Sequence, residues 1–419
     1  MKTIYCIQTV SLSGHHDSYT DIYCLTLLKL GYRVVLLINN YRSLFNNELN
    51  IYKKNNLFYF YNIDSNNTKL IRKFNNLFLK IIRKSWNIIR KLFLFFLFIP
   101  PLIKEESEIQ WPSQSSIEAI INKTGFHSDL LFFLYLDPYF MGYSSFIHKL
   151  QLNWTGLLFN ASYLKKKNYY LYKSISSSSC KGIAMLDPRY LEYYKKIFKK
   201  KRFTSLPDVI DTTLSEKIPQ CCIDIKEKSA NKNIIMLLGS LSGRKGICTL
   251  LKIAYNHPNS PYFFAFCGKI SWDSFNNCSK ADINLLRSCI KTPPDNCYFY
   301  LNYFETEAEL NHLFLISDII YSVYEKFDSS SGIIGKAAYF NKPILVQKNG
   351  LMESYIQKGP SGESVNPYDV NAIYNKFDII MKNKYNYNYN VYSDEISIEN
   401  LEKKLKYFIS ASISENNND

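Results

Sequence analysis

The chain consists of two successive series in which short apolar runs alternate with segments of helical periodicity. This alternation limits it to an α/β fold with parallel sheets. Residues 3–10 form a short apolar run rich in Ile, Tyr and Val, which predicts a strand buried on both faces. Residues 11–17 form a loop holding Gly14, His15 and His16. Residues 18–30 carry Ile22, Leu25, Leu27 and Leu28 at helical spacing and stop at Gly31, the favoured residue just past a helix end. Arg33–Ile38 is a second apolar run. Strand, loop, helix and parallel strand make a βαβ unit, the start of a doubly wound sheet. Further strands are expected at 130–134, 156–159 and 182–185.

Residues 206–232 break the series. They are polar, contain Pro207 and Pro219, show no sustained period and read as a linker. A second series then begins with the apolar run Asn233–Leu238, the loop 239–246 and a helical segment through residue 256. Tyr262–Cys267 closes on Gly268, and strands are expected at 298–302, Ile319–Ser322 and 344–346. A chain of 419 residues exceeds the size at which one core stops growing, about 250–300 residues. The reading is therefore α/β, two Rossmann-like doubly wound domains at 1–207 and 208–395, followed by a final helix and tail at 396–419.

Two loops of the second domain carry chemistry. In Gly239-Ser240-Leu241-Ser242-Gly243-Arg244-Lys245-Gly246, a strand feeds a small-residue turn that opens a helix. Glycine lets a ligand approach the backbone, helix-terminal N–H groups favour anions, and Arg244 and Lys245 add positive charge. A diphosphate needs this combination, although a tight turn with two exposed cations has the same sequence. Asp328-Ser329-Ser330-Ser331-Gly332 follows another apolar run and opens a helix with Lys336 one turn inside. Serine is also a good N-cap, which accounts for part of that run.

At these residues the chain resembles the group 1 (family 4-like) glycosyltransferases of the GT-B fold, which implies two domains facing a cleft and a final helix able to cross back to the first domain. The likeness covers roughly 200–385. It runs through Gly239…Lys245-Gly246, Phe266-Cys267-Gly268, Glu309-Leu310…Ser317-Asp318-Ile319-Ile320, Ser331-Gly332…Lys336-Ala337-Ala338 and Asn341-Lys342-Pro343-Ile344. Gly350, Glu353, Val365-Asn366-Pro367 and the crossover Leu206-Pro207-Asp208…Asp211 also fit. The first domain is similar in layout, through Gly14-His15-His16 and Gly31-Tyr32-Arg33-Val34. There are two departures. Two Glu separated by seven residues are usual in that family, and here Asp328 and Lys336 stand in their places. The second of them binds the donor ribose hydroxyls, and a lysine cannot accept those bonds. Ser240 stands where an arginine is usual, and Arg244 is placed to serve the same phosphates.

The resemblance implies a glycosyltransferase that moves a sugar, with retention of configuration, from a nucleotide-diphosphate donor to a lipid-linked or polysaccharide acceptor in cell-surface glycan or exopolysaccharide synthesis. The donor is a substrate, so no cofactor is expected. Gly239, Ser240, Gly243, Arg244, Lys245, Gly246, Ser330, Ser331, Gly332 and Lys336 are expected to hold it. Lys245, Arg244 and the backbone of residues 330–332 would stabilise charge on the departing diphosphate, and Asp328 would orient the donor sugar. His15, His16 and Asp17 lie where the first loop faces the cleft. They are candidates for contact with acceptor or donor sugar, or a capping Asp beside surface histidines. Asp137 and His127 are weaker candidates, and His148, His257 and His312 read as structural. No general base stands out.

The formal charge of +15 suggests anionic partners, although a nucleotide bias in the coding sequence also inflates Lys. Nine of the basic residues fall in 69–104, which contains no acid before Glu105. Leu70, Ile71, Phe74, Leu77, Phe78, Trp86 and the run 92–99 lie among them, and Pro100-Pro101 ends the segment. A cationic amphipathic helix of this kind suits an anionic membrane surface. The other placement is a long helix with its apolar face in the core, and the acid-free stretch favours the membrane. Eight uncharged apolar residues at 92–99 are too few to span a bilayer, which needs roughly 20. The ten cysteines form no CxxC and mostly sit in apolar runs, as expected of reduced thiols in a cytoplasmic protein at the inner face of the membrane. No metal site is expected. No nucleic-acid-binding signature appears either, so that rival rests on charge alone. A second rival, a catalytically lapsed partner subunit, rests on Lys336.

Overall fold

The computed structural model describes residues 1–8, 15–38, 47–62, 114–141, 147–162 and 169–414. The basic segment 69–104 and Gly14 lie outside them. The described residues form two parallel sheets with helices on both faces. The first sheet has seven strands: β1 (Thr3–Gln8), β2 (Arg33–Ile38), β3 (Phe58–Asn62), β4 (Leu130–Phe133), β5 (Trp154–Leu158), β6 (Cys180–Met185) and β7 (Phe203–Ser205), in the order β3-β2-β1-β4-β5-β6-β7. The second has six: β8 (Asn233–Leu238), β9 (Tyr262–Cys267), β10 (Cys297–Tyr300), β11 (Ile319–Ser322), β12 (Ile344–Gln347) and β13 (Gly362–Val365), in the order β10-β9-β8-β11-β12-β13. Each order runs outward from its first strand and then reverses, the doubly wound pattern.

The central strands are apolar throughout because each has two buried faces. Ile4 and Cys6 enter one core of the first domain, while Tyr5 and Ile7 enter the other. Val34 and Leu36 are split from Val35 and Leu37 in the same way. In the second domain Ile234 and Met236 face one core, and Ile235 and Leu237 the other. The strand period of 2 thus places each successive side chain in a separate apolar layer.

Three strands have no counterpart in the sequence reading. β3, β7 and β13 are short edge or near-edge strands, and β13 (Gly-Glu-Ser-Val) has little apolar character. Its pairing with β12 holds it in place: residues 344–347 align with 362–365. The linker reading of 206–232 also needs correction, because Gln220–Ser229 is a helix. It buries Cys221, Cys222 and Ile225 in the second-domain core, a face too short to register as a sustained period.

The chain passes between the domains twice. Leu206 and Val209 belong to a first-domain core and Ile210 to the second. Ile396 still belongs to the second, but the helix Ile398–Ser414 does not. Its Leu401, Leu405, Phe408, Ile409 and Ile413 are buried against Tyr19, Tyr23, Leu27 and Leu134 of the first domain.

Candidate functional site

The carboxyl ends of β8 and β11 adjoin where the second sheet reverses its order. In doubly wound sheets ligands bind at such a point. The loop after β8 begins at Gly239 in a left-handed conformation, φ +91°. A short 3-10 turn, Gly243–Lys245, ends at Gly246, which opens the helix Ile247–Asn256. A side chain at Gly246 would meet the Val323 carbonyl at 2.6 Å, so glycine lets the two loops touch. Gly268, after β9, has φ +136°, and a Cβ there would collide with the Gly239 backbone. The loops after β8, β9 and β11 therefore pack backbone to backbone.

A cavity of about 370 Å³ opens over these loops. Gly239, Ser240, Ser331, Gly332 and Lys336, five of the residues expected to hold the donor, line it. Gly268, Lys269 and Ser271 form another side. Tyr303, Phe304, Leu310 and Ile333 give it an apolar end, and Thr306 and Glu307 complete the wall. Ser331 is the N-cap of the helix Gly332–Tyr339, and Thr306 caps the helix Glu307–Ile316 by accepting from Glu309 N. Two helix N-termini thus meet at the cavity, and unsatisfied N–H groups there favour anions.

The positive charge is fixed rather than mobile. Lys245 is buried, with Nζ 3.2 Å from the Leu238 carbonyl and 5.6 Å above the Tyr324 ring. Arg244 is exposed, and its guanidinium lies 4.5 Å over Phe327 and 5.4 Å over Tyr324. Burial alone would raise the Tyr324 phenol. The Lys245 ammonium, the nearby hydroxyls of Ser322 and Ser331, and the Arg244 guanidinium instead bring it below its ordinary value. A field that favours phenolate will also favour a phosphate.

Other expected residues are engaged elsewhere. Asp328 pairs with Arg189 of the first domain at 2.7 Å and accepts from Leu351 N at 3.2 Å. Arg189 is also bidentate to Asp187. That contact, and secondarily Asp328, holds the guanidinium above its usual pKa against the effect of burial. Ser330 donates to Asp208, which also accepts from Tyr19. Lys336 lines the cavity, but its charge is already engaged. It is buried, and its ammonium donates to Glu307 Oε2 and to Asn311 Oδ1, the latter at 2.7 Å.

In the first domain His15 and His16 occupy the first turn of the helix His15–Lys29, which follows β1. Asp137 is a structural tie: its carboxylate accepts from Phe159 N at 2.8 Å and Asn160 N at 2.7 Å. Burial raises it to about 6 despite those N–H donors. His127 is exposed at the amino end of β4, away from the cleft. His312 lies with Nε2 2.9 Å from the Ser215 carbonyl. Sequence reading missed Glu307, Tyr303, Phe304 and Arg189. Glu307 had a local signal, an acid directly after a Thr cap. Arg189 had none, because its partner Asp328 is remote in sequence. Among the described residues, no group of three or more His, Cys, Asp or Glu is placed to hold a metal ion.

No known family profile matches the chain, and no curated protein matches it. Solved structures do match. The Anabaena protein HepE, in complex with UDP and glucose, superposes with a TM-score of 0.62 at 10% identity, over 98% of this chain and 100% of that one. WaaG, a glycosyltransferase involved in lipopolysaccharide biosynthesis, gives 0.58 at 13% identity over 96% and 98%. Sucrose-phosphate synthase from Thermosynechococcus elongatus gives 0.58 at 11% over 100% and 98%. The chain has the GT-B fold. In GT-B terms the cavity lies in the second domain, and the carboxyl ends of both sheets face it across the Arg189–Asp328 and Asp208–Ser330 contacts.

Proposed function

We propose that the protein is a glycosyltransferase that binds a nucleoside-diphosphate sugar in the second-domain cavity and transfers the sugar to a glycan or glycolipid acceptor held by the first domain. The observation that carries this reading is the cavity itself: the Gly239 loop, with Lys245 Nζ packed behind it, and the start of the helix Gly332–Tyr339 at one end, and an aromatic and aliphatic wall at the other. Phosphates suit the first end and a nucleobase the second. Structural neighbours support the reading, since HepE was crystallised with UDP and with UDP-glucose.

Departure of the diphosphate concentrates negative charge, and fixed positive groups stabilise that state without reorganising. Lys245 and the backbone N–H groups at the start of the helix Gly332–Tyr339 are placed for it. Arg244, held over Phe327 and Tyr324, adds to the positive field. Asp328 would orient the sugar from its place at the Arg189 link between the domains. His15 and His16, at the start of the helix His15–Lys29, are our candidates for the first-domain contact with the sugar. Retention of configuration follows from the resemblance, and the inner-face membrane site belongs to 69–104. Glycan or exopolysaccharide synthesis is the setting this assigns.

A thermal-shift panel of UDP, GDP, ADP and their sugars tests the donor site through ligand linkage. At least one nucleotide should raise the melting temperature of the parent. If none does, the reading is wrong and a lapsed subunit becomes the better description.

A further inference from the structure

We infer that Glu307 accepts the ribose hydroxyls of the donor nucleotide, making the site selective for ribonucleotides, with Lys336 and Asn311 as its positioning residues. This rests on the nucleoside-diphosphate reading above. Gly332 and Lys336 are four residues apart on one helix, which places them about 6 Å apart along its axis. That is roughly the distance from a diphosphate to the ribose that carries it. The Glu307–Lys336 pair therefore sits one helical turn from the phosphate-binding end. The aromatic residues Tyr303 and Phe304 line the same cavity.

At this depth a polar ligand group needs an acceptor. Lys336 has three donors and no lone pair to offer, and its ammonium is already directed at Glu307 and Asn311. A carboxylate has about four acceptor positions, and the Glu307 carboxylate stands in the cavity wall. Its side chain is 15% exposed and that of Lys336 is 3%. The carboxylate is thus the member of the pair that a ligand can reach. Its place at the first position of the helix Glu307–Ile316 suits an anion, and the buried ammonium fixes its rotamer.

The test is calorimetric titration of parent and Glu307→Gln with UDP, GDP and ADP, each beside its 2′-deoxy and 3′-deoxy analogue. The parent should bind its best ribonucleotide at least about 10-fold more tightly than the deoxy forms. Glu307→Gln keeps an oxygen for Lys336 and should fold. It should lose that preference by weakening on the ribonucleotide while binding the deoxy forms as the parent does. A parent that binds no nucleotide defeats both this inference and the donor-site reading. A parent that binds nucleotides without a ribose preference, which needs no variant to establish, overturns this inference alone. So does a preference that survives in Glu307→Gln.

Discussion

Arg189 Nη1 lies 2.7 Å from Asp328 Oδ1, joining a loop after β6 of the first sheet to the loop after β11 of the second. Beside it, Asp208 bonds Tyr19 on one side and Ser330 on the other. The loop that holds the second helix start is therefore tied to the first domain by two carboxylate links. Both Arg189 and Asp328 are partly exposed, 36% and 56% at the side chain, so water screens the pair. Asp328→Asn removes the ionic part of this link while Arg189 keeps Asp187, and should cost under about 1 kcal/mol of stability. Its visible effect should be geometric, a larger radius of gyration by small-angle X-ray scattering, and an unchanged radius would show that the link does not set the domain spacing.

Lys245→Ala removes the buried cation at the phosphate-binding end. A hydrogen bond to a charged group contributes about 1.5–3 kcal/mol, so the loss should weaken nucleoside diphosphate binding by about 10-fold or more. Calorimetry on the folded variant reads this directly. Affinity equal to the parent would remove Lys245 from the site.

Gly268→Ala would place a Cβ against the Gly239 backbone at φ +136°. Backbone cannot yield as a side-chain tip does, so the expected loss is about 2–4 kcal/mol. Denaturant unfolding measures it, and a loss under about 1 kcal/mol would mean that the three loops are less tightly packed than described.

Asp137 predicts a pH dependence. Burial raises its carboxyl from an ordinary 3.8 to about 6 in the folded chain. A raised folded pKa gives stability that is full below the unfolded value and is lost as pH rises through the folded one. An asparagine in its place would not titrate, so the stability of parent minus Asp137→Asn should fall by about 3 kcal/mol between about pH 4 and pH 7. A difference that stays flat, or rises with pH, contradicts this assignment.

Leu405 is fully buried in the helix Ile398–Ser414, yet its neighbours belong to the first domain. Leu405→Ala should cost about 2–5 kcal/mol. The loss should appear as earlier exchange of backbone amides in β1 and β4. Amides of β8 and β11 exchanging first would place the helix with the wrong domain.

Sequence and tertiary structure divided the work by range. Local pattern determined the strands with two apolar faces, β1, β2, β4, β8, β9 and β11. It also determined the two glycine- and serine-rich turns, because backbone conformation and burial are set by neighbouring residues. It could not determine β13, whose four residues become a strand only by pairing with β12. Nor could it separate the helix Gln220–Ser229 from a linker, because its short buried face registers only against a core. The site divides in the same way. Gly239, Ser331 and Gly332 were legible because a helix start is a local object. The charge of Lys336 was not, since what a cation does depends on what it meets. Here it meets Glu307, 29 residues away in sequence. Electrostatic partnership acts through space, and only the folded chain decides which distant groups share a low-dielectric wall.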